Sequence, residues 1–192
     1  MSDAEKQLLA LLKERSFKRG TFRLASGRTS SYYIDGKMTQ VHSRGAHLIG
    51  EVLYERTKDL RINGIGGLEV GAVPMATAAV ISYHLHGQEL EGFWVRDRSK
   101  GHGTEKTVEG GIKPGDRVVI VDDVVTTGGS SIRAIQEVRK FGCEVVAVVV
   151  LVDRLAGAAE AFGKEGITDY RPVFTLEDLG VTPEVRNPAA TT

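Results

Sequence analysis

The sequence predicts an α/β protein built on a parallel sheet with helices on both faces, and three observations carry that expectation. From residue 62 onward, apolar runs of strand length alternate with segments of helical length and pattern. Two of those runs, residues 118–121 and 145–152, are nearly continuous in Val, Ile and Leu, which is the pattern of strands buried on both faces. Glycines and small polar residues punctuate the boundaries, as in the Gly71–Pro74 loop and at Gly128, Gly129, Ser130 and Ser131. At 192 residues with 41% hydrophobic content, the chain suits one such domain with a moderate appendage.

Taken in order, residues 3–16 place Leu8, Leu9, Leu11 and Leu12 on one side of a first helix, which residues 17–20 are expected to end. Residues 21–24 and 32–35 read as two short strands around a turn-rich hairpin loop, AlaSerGlyArgThrSerSer. Residues 42–60 carry Leu48, Ile49, Val52 and Leu53 at helical spacing. Then follow a strand ending at Leu68, the Gly71–Pro74 loop, an apolar helix over 75–85 and a strand over 92–96. The central strand over 118–121 leads to a helix over 131–141, a strand over 145–152, a helix from about 155 to 162, and a last short element over 170–179. The three loops after Leu68, Val121 and Val152 are expected to crowd one edge of the sheet, where ligands of such folds sit.

Composition excludes several functions. Twenty-five basic and twenty-five acidic residues cancel, so nothing advertises nucleic acid or an acidic membrane surface. The single cysteine, Cys143, excludes an internal disulfide framework and a CxxC metal site, and its place before a Val-Val run suits a small buried hydrophobe. The N-terminus resembles neither a signal peptide nor a transit peptide, and no apolar run approaches the length of a membrane span, so a reducing cytoplasm is the expected location.

Chemistry concentrates in residues 117–131, RVVIVDDVVTTGGSS. A buried strand ends in the paired carboxylates Asp122 and Asp123, and a small-residue loop then opens a helix. Backbone N–H groups of such a loop, with the helix N-terminus behind them, suit a phosphate, and glycines let it approach the backbone. Two acids there would repel phosphate; they suit sugar hydroxyls or a metal ion. The stretch therefore asks for a ligand that joins a phosphate to a polyol, such as a phosphorylated ribose. No lysine follows the glycines as in GxxxxGK[ST], and no GxGxxG occurs.

Residues 96–109 offer no hydrophobic anchor but carry Arg96, Arg98, Lys100, His102 and Lys106. By composition this is a solvated surface loop. Its length beside a phosphate site equally fits a lid that closes over a charged leaving group such as pyrophosphate, with His102 able to donate a proton.

The run VVIVDDVVTTGGS resembles the phosphoribosyl pyrophosphate (PRPP) signature of type I phosphoribosyltransferases. Two further stretches, FRLASGRTSSYYID and RDRSKGHG, together with Asp153-Arg154, are similar to orotate phosphoribosyltransferases over roughly residues 20–155. The resemblance implies the type I phosphoribosyltransferase fold, a central parallel sheet flanked by helices with a small N-terminal hood (about 1–40), a core (about 41–175) and a flexible lid (96–109) in one domain. It implies transfer of ribose 5-phosphate from PRPP to N1 of orotate, giving orotidine 5′-monophosphate and pyrophosphate, with Mg²⁺ held mainly through substrate and water.

Position by position, the resemblance gives Val124, Val125, Thr126, Thr127, Gly128, Gly129 and Ser130 to the phosphoribosyl group and Asp122 and Asp123 to the ribose hydroxyls. Arg96, Lys100 and His102 fall to the pyrophosphate, with Lys100, His102, Asp122 and Asp123 as the catalytic set. Arg154, Tyr32, Tyr33 and Thr126 fall to orotate. A homodimer whose lids serve the partner's site is also implied. Ala25, Gly71 and Asp97 stand where family members can carry lysine, with Arg98 and Lys37 as nearby cations. A phosphoribosyltransferase for another base and a non-catalytic PRPP-sensing regulator remain as alternatives.

Overall fold

The computed structural model describes residues 1–23, 29–97 and 107–181. The chain runs through α1 (Asp3–Arg15), β1 (Phe17–Arg23), β2 (Thr29–Ile34), α2 (Lys37–Gln40), α3 (Ser43–Thr57), β3 (Gly64–Leu68) and α4 (Ala72–Leu85). It continues through β4 (Glu91–Val95), β5 (Val108–Gly110), β6 (Arg117–Val125), α5 (Gly129–Phe141), β7 (Glu144–Asp153), α6 (Ala158–Lys164) and β8 (Tyr170–Thr175). Six strands form one sheet in the order β5-β4-β3-β6-β7-β8, parallel except for β5, and β1 and β2 form a separate antiparallel hairpin.

Alternation along the strands splits the core in two. Val119 and Val121 face the layer made by α1, α3 and α4, among Leu8, Leu12, Ile49, Leu53 and Met75. Val118 and Ile120 face α5 and α6, among Ile135, Val138 and Phe162. Successive strands step from β3 outward to β4 on one side and from β6 outward to β7 on the other. The crevice between β3 and β6 is thus a topological switch point, the place where open α/β sheets bind ligands.

Several expectations need correcting. Residues 17–20 extend β1 and do not merely end the first helix, because the backbone of β1 pairs with β2 from Phe17 onward. A short α2 precedes α3. The helix expected from residue 75 starts at Ala72, since Pro74 sits in the first turn, where its missing N–H costs nothing. The helix expected from about residue 155 starts at Ala158, after Leu155 and Gly157 adopt positive φ. Strand β6 continues through both aspartates to Val125. Residues 96–109 do have an anchor: Val108 is buried in β5, paired with Val95. Cys143 is buried and donates to the Lys113 carbonyl, as a core cysteine should.

Candidate active site

The carboxyl ends of β6 and β7 lie side by side next to the crevice. Because Asp122 and Asp123 are consecutive residues of a strand, their side chains leave on opposite faces. Asp122, buried, turns toward α5, where its Oδ2 accepts from Ser130 Oγ and Ser131 Oγ, both at 2.7 Å, and its Oδ1 accepts from the Asp123 N–H at 3.0 Å. Burial pushes its carboxyl above the ordinary 3.8, and the two serine hydroxyls offset only part of that. Asp123 turns toward the α4 layer and the N-terminal segment. Its Oδ1 accepts from the Val124 N–H at 2.9 Å, and its Oδ2 from Lys37 Nζ at 3.2 Å.

The loop after β6 is shaped by Gly128. This residue has φ of 81°, and a Cβ on it would lie 2.9 Å from Phe162 of α6, so both conformation and space demand glycine. It caps α5 without any side-chain hydrogen bond. The first N–H groups of an α-helix lack intrahelical partners, and those of α5 follow directly on the Thr126–Thr127 segment. The hydroxyl of Ser130, a residue of the expected phosphoribosyl loop, donates to Asp122. Val124 and Val125 are ladder residues of β6 whose side chains pack into the two core layers, so they place the loop and offer it no side chain.

Arg154 follows β7 and is tied to the end of β6 by its N–H, which donates to the Val125 carbonyl at 3.0 Å. Its guanidinium reaches across to the hairpin. Nε and Nη2 donate to Tyr32 Oη at 3.2 and 2.8 Å, with the guanidinium carbon 4.9 Å from the ring centroid. Tyr32 is itself buried against Phe17. The structure brings Tyr32 and Arg154 together but not Tyr33, which alternation sends to the other face of the hairpin beside Phe22, 45% exposed. Asp153 anchors the turn by accepting from the Leu155 N–H and from Tyr170 Oη.

Arg96 closes β4 and pairs with Glu109 at 3.6 Å. Next to it, Asp97 pairs with Arg133 of α5 at 3.8 Å, and its N–H donates to Glu69 Oε1. Arg96, Asp97, Thr107 and Arg133 line a cavity of about 390 Å³ between β4 and α5. Nothing local in the sequence distinguishes Arg133 and Glu69 from surface charges. Lys100, His102, Arg98, Lys106 and Ala25 lie outside the described residues. Among the described residues no group of three or more His, Cys, Asp or Glu side chains could hold a metal ion, and no helix is long and apolar enough to cross a membrane.

The sheet, with its glycine-capped helix start and paired carboxylates at the switch point, is the architecture of a phosphoribosyltransferase, and residues 39–167 match the phosphoribosyl transferase domain family. Orotate phosphoribosyltransferase of Rhodopirellula baltica is 40% identical over 182 residues, covering 92% of this chain and 94% of that protein. The Bradyrhizobium diazoefficiens enzyme of the same name is 43% identical over 182 residues, covering 93% and 97%. Among solved structures, the Mycobacterium tuberculosis orotate phosphoribosyltransferase in complex with PRPP superposes with a TM-score of 0.79 at 39% identity, covering 93% of this chain and 99% of that one. The chain belongs to the orotate phosphoribosyltransferase family. Leishmania tarentolae adenine phosphoribosyltransferase, 19% identical with a TM-score of 0.64 over 89% of this chain and 88% of that one, shares the fold.

Proposed function

We propose that this chain transfers the 5-phosphoribosyl group from PRPP to N1 of orotate, in the synthesis of pyrimidine nucleotides. The observation that carries the choice of base is Arg154. Its backbone is fixed beside the anion loop and its guanidinium is oriented by Tyr32. The edge formed by Nη1 and the second Nη2 hydrogen is left for a planar carboxylate, which a guanidinium captures with two parallel bonds.

In this reading the amides of Thr126, Thr127, Gly128, Gly129 and Ser130 hold the 5′-phosphate. Asp123 accepts from the ribose hydroxyls, and Asp122 braces the start of α5 through the two serines. The bond from C1′ to the diphosphate oxygen breaks, its electron pair leaving with pyrophosphate, as the bond from orotate N1 to C1′ forms and the N1 proton passes to the departing pyrophosphate. Positive charge develops on the ribose ring, as in glycoside cleavage. No covalent nucleophile is required: the site aligns N1 with C1′ and keeps water away. Lys100 and His102, with Arg96, are assigned to the leaving pyrophosphate. Mg²⁺, coordinated mainly by substrate and water, would neutralise diphosphate charge, with Asp123 as the carboxylate at hand. The whole chain acts as one domain, with the hairpin segment as hood over the sheet and residues 96–109 as lid. A cytoplasmic homodimer with shared lids completes the proposal, supported by the apolar side chains Ile81 and Leu85 that α4 leaves exposed.

Purified protein given PRPP and Mg²⁺ with orotate, uracil, adenine or hypoxanthine in parallel is expected to consume orotate alone. Arg154→Ala should raise KM for orotate about 10- to 100-fold, the worth of hydrogen bonds to a charged group, with PRPP binding little changed. Turnover of another base, or an indifferent Arg154→Ala, would overturn the assignment. At subsaturating orotate, a mixture of Lys100→Ala and Arg154→Ala chains should be more active than either variant alone; no gain on mixing would argue against shared sites.

A further inference from the structure

Asp123 lies in a slot that two glycines keep open. A Cβ on Gly36 would come 2.9 Å from Asp123 Oδ2, and a Cβ on Gly71 would come 2.9 Å from Oδ1. Neither residue contributes a side chain, so the carboxylate's surroundings are set by what reaches it from elsewhere. Lys37, the first residue of α2, does so from 86 positions away in sequence, with Nζ 3.2 Å from Oδ2; Asp35 Oδ1 stands farther off at 3.9 Å. The lysine side chain is 51% exposed and that of the aspartate 10%, so the ammonium stands in front of the carboxylate, toward solvent. An ammonium has three donors, and Asp123 Oδ2 takes one.

This arrangement is tense for a PRPP site. Asp123 and a diphosphate are both anionic, and a ligand whose ribose meets this carboxylate must carry its diphosphate close by. A cation between the two removes the repulsion. We infer that Lys37 is a donor-substrate residue, which rests on the reading of PRPP as donor: its ammonium leaves Asp123 Oδ2 for an oxygen of the diphosphate as the ribose hydroxyls take over the carboxylate. The four-carbon stem permits this without backbone movement. Partial burial works against the ammonium's charge, but Asp123 and then Asp35 outweigh it and hold Lys37 above the ordinary lysine value, so the side chain is cationic throughout the neutral range.

Steady-state kinetics and calorimetric PRPP binding on the full chain test this. Lys37→Met should raise KM and Kd for PRPP about tenfold, the loss of one charge-assisted contact, while KM for orotate stays within about twofold. Lys37→Arg should recover most of the loss, because the charge and reach are restored. An unchanged PRPP constant overturns the inference. So does a parallel rise for both substrates with a lowered Tm, which would mark Lys37 as a brace for the N-terminal segment, or an Arg variant no better than Met. A wild-type chain that does not bind PRPP removes the donor reading and this inference with it; a normal wild type with an indifferent Lys37→Met removes this inference alone.

Discussion

Two helices of equal length, α1 and α5, begin in opposite ways. At α1 the Ser2 hydroxyl accepts from the Glu5 N–H and the Glu5 carboxylate accepts from the Ser2 N–H, a closed capping box. At α5 the cap is Gly128 in the left-handed region, with no side-chain bond, although Ser130 and Ser131 follow after Gly129. Those serines turn their hydroxyls onto Asp122 and leave the helix's own N–H groups open. The first arrangement satisfies a helix end for the sake of stability. The second leaves the end without a side-chain cap, as the proposed phosphate site requires, with a buried carboxylate bracing it from behind.

The largest effect that would test this contrast is expected at Gly128. Gly128→Val forces a β-branched residue into positive φ and against Phe162, at a cost of about 1–3 kcal/mol in stability. It should also lower kcat/KM for PRPP on the order of a hundredfold, as for loss of preorganised donors; near-normal PRPP use with a disturbed fold would break the contrast.

A smaller effect is expected at Asp122. Its carboxyl titrates above its unfolded value, so its stabilising contribution is full below the ordinary 3.8 and is lost as pH rises through the raised folded value. Asp122→Asn removes that loss. Unfolding in urea from about pH 4 to about pH 7 should then show the variant gaining on wild type as pH rises, and a pH-independent difference would remove Asp122 as the charged brace.

Smallest is Ser2→Ala, which opens the α1 box at about 1 kcal/mol and lowers Tm by about 2–4 °C. Kinetic constants should not move, and a kinetic change would mean that the two helix starts are coupled.

Much of this architecture was legible in local pattern. The runs that form β6 and β7 are so apolar that they read as strands buried on both faces, and TTGGSS after paired acids marks the turn from strand into helix. What escaped had no local signal. Val108 belongs to a three-residue strand, too short for any periodicity, and is recognisable only through its pairing with Val95. The two aspartates read as one acidic tip, yet strand alternation gives them different partners and different work. Lys37 and Arg154 meet residues 86 and 122 positions away, distances over which composition says nothing.

The bond between Arg154 and Tyr32 has a consequence for the timing of entropy loss. A free arginine side chain gives up roughly 2 kcal/mol of rotational freedom when it is fixed. Here the phenol and ring of Tyr32 immobilise the guanidinium before any ligand arrives, so that loss falls on folding and hairpin docking. Under the proposed role of Arg154, the orotate carboxylate meets a side chain already ordered, and discrimination between bases then shows in affinity undiminished by the cost of arranging that residue.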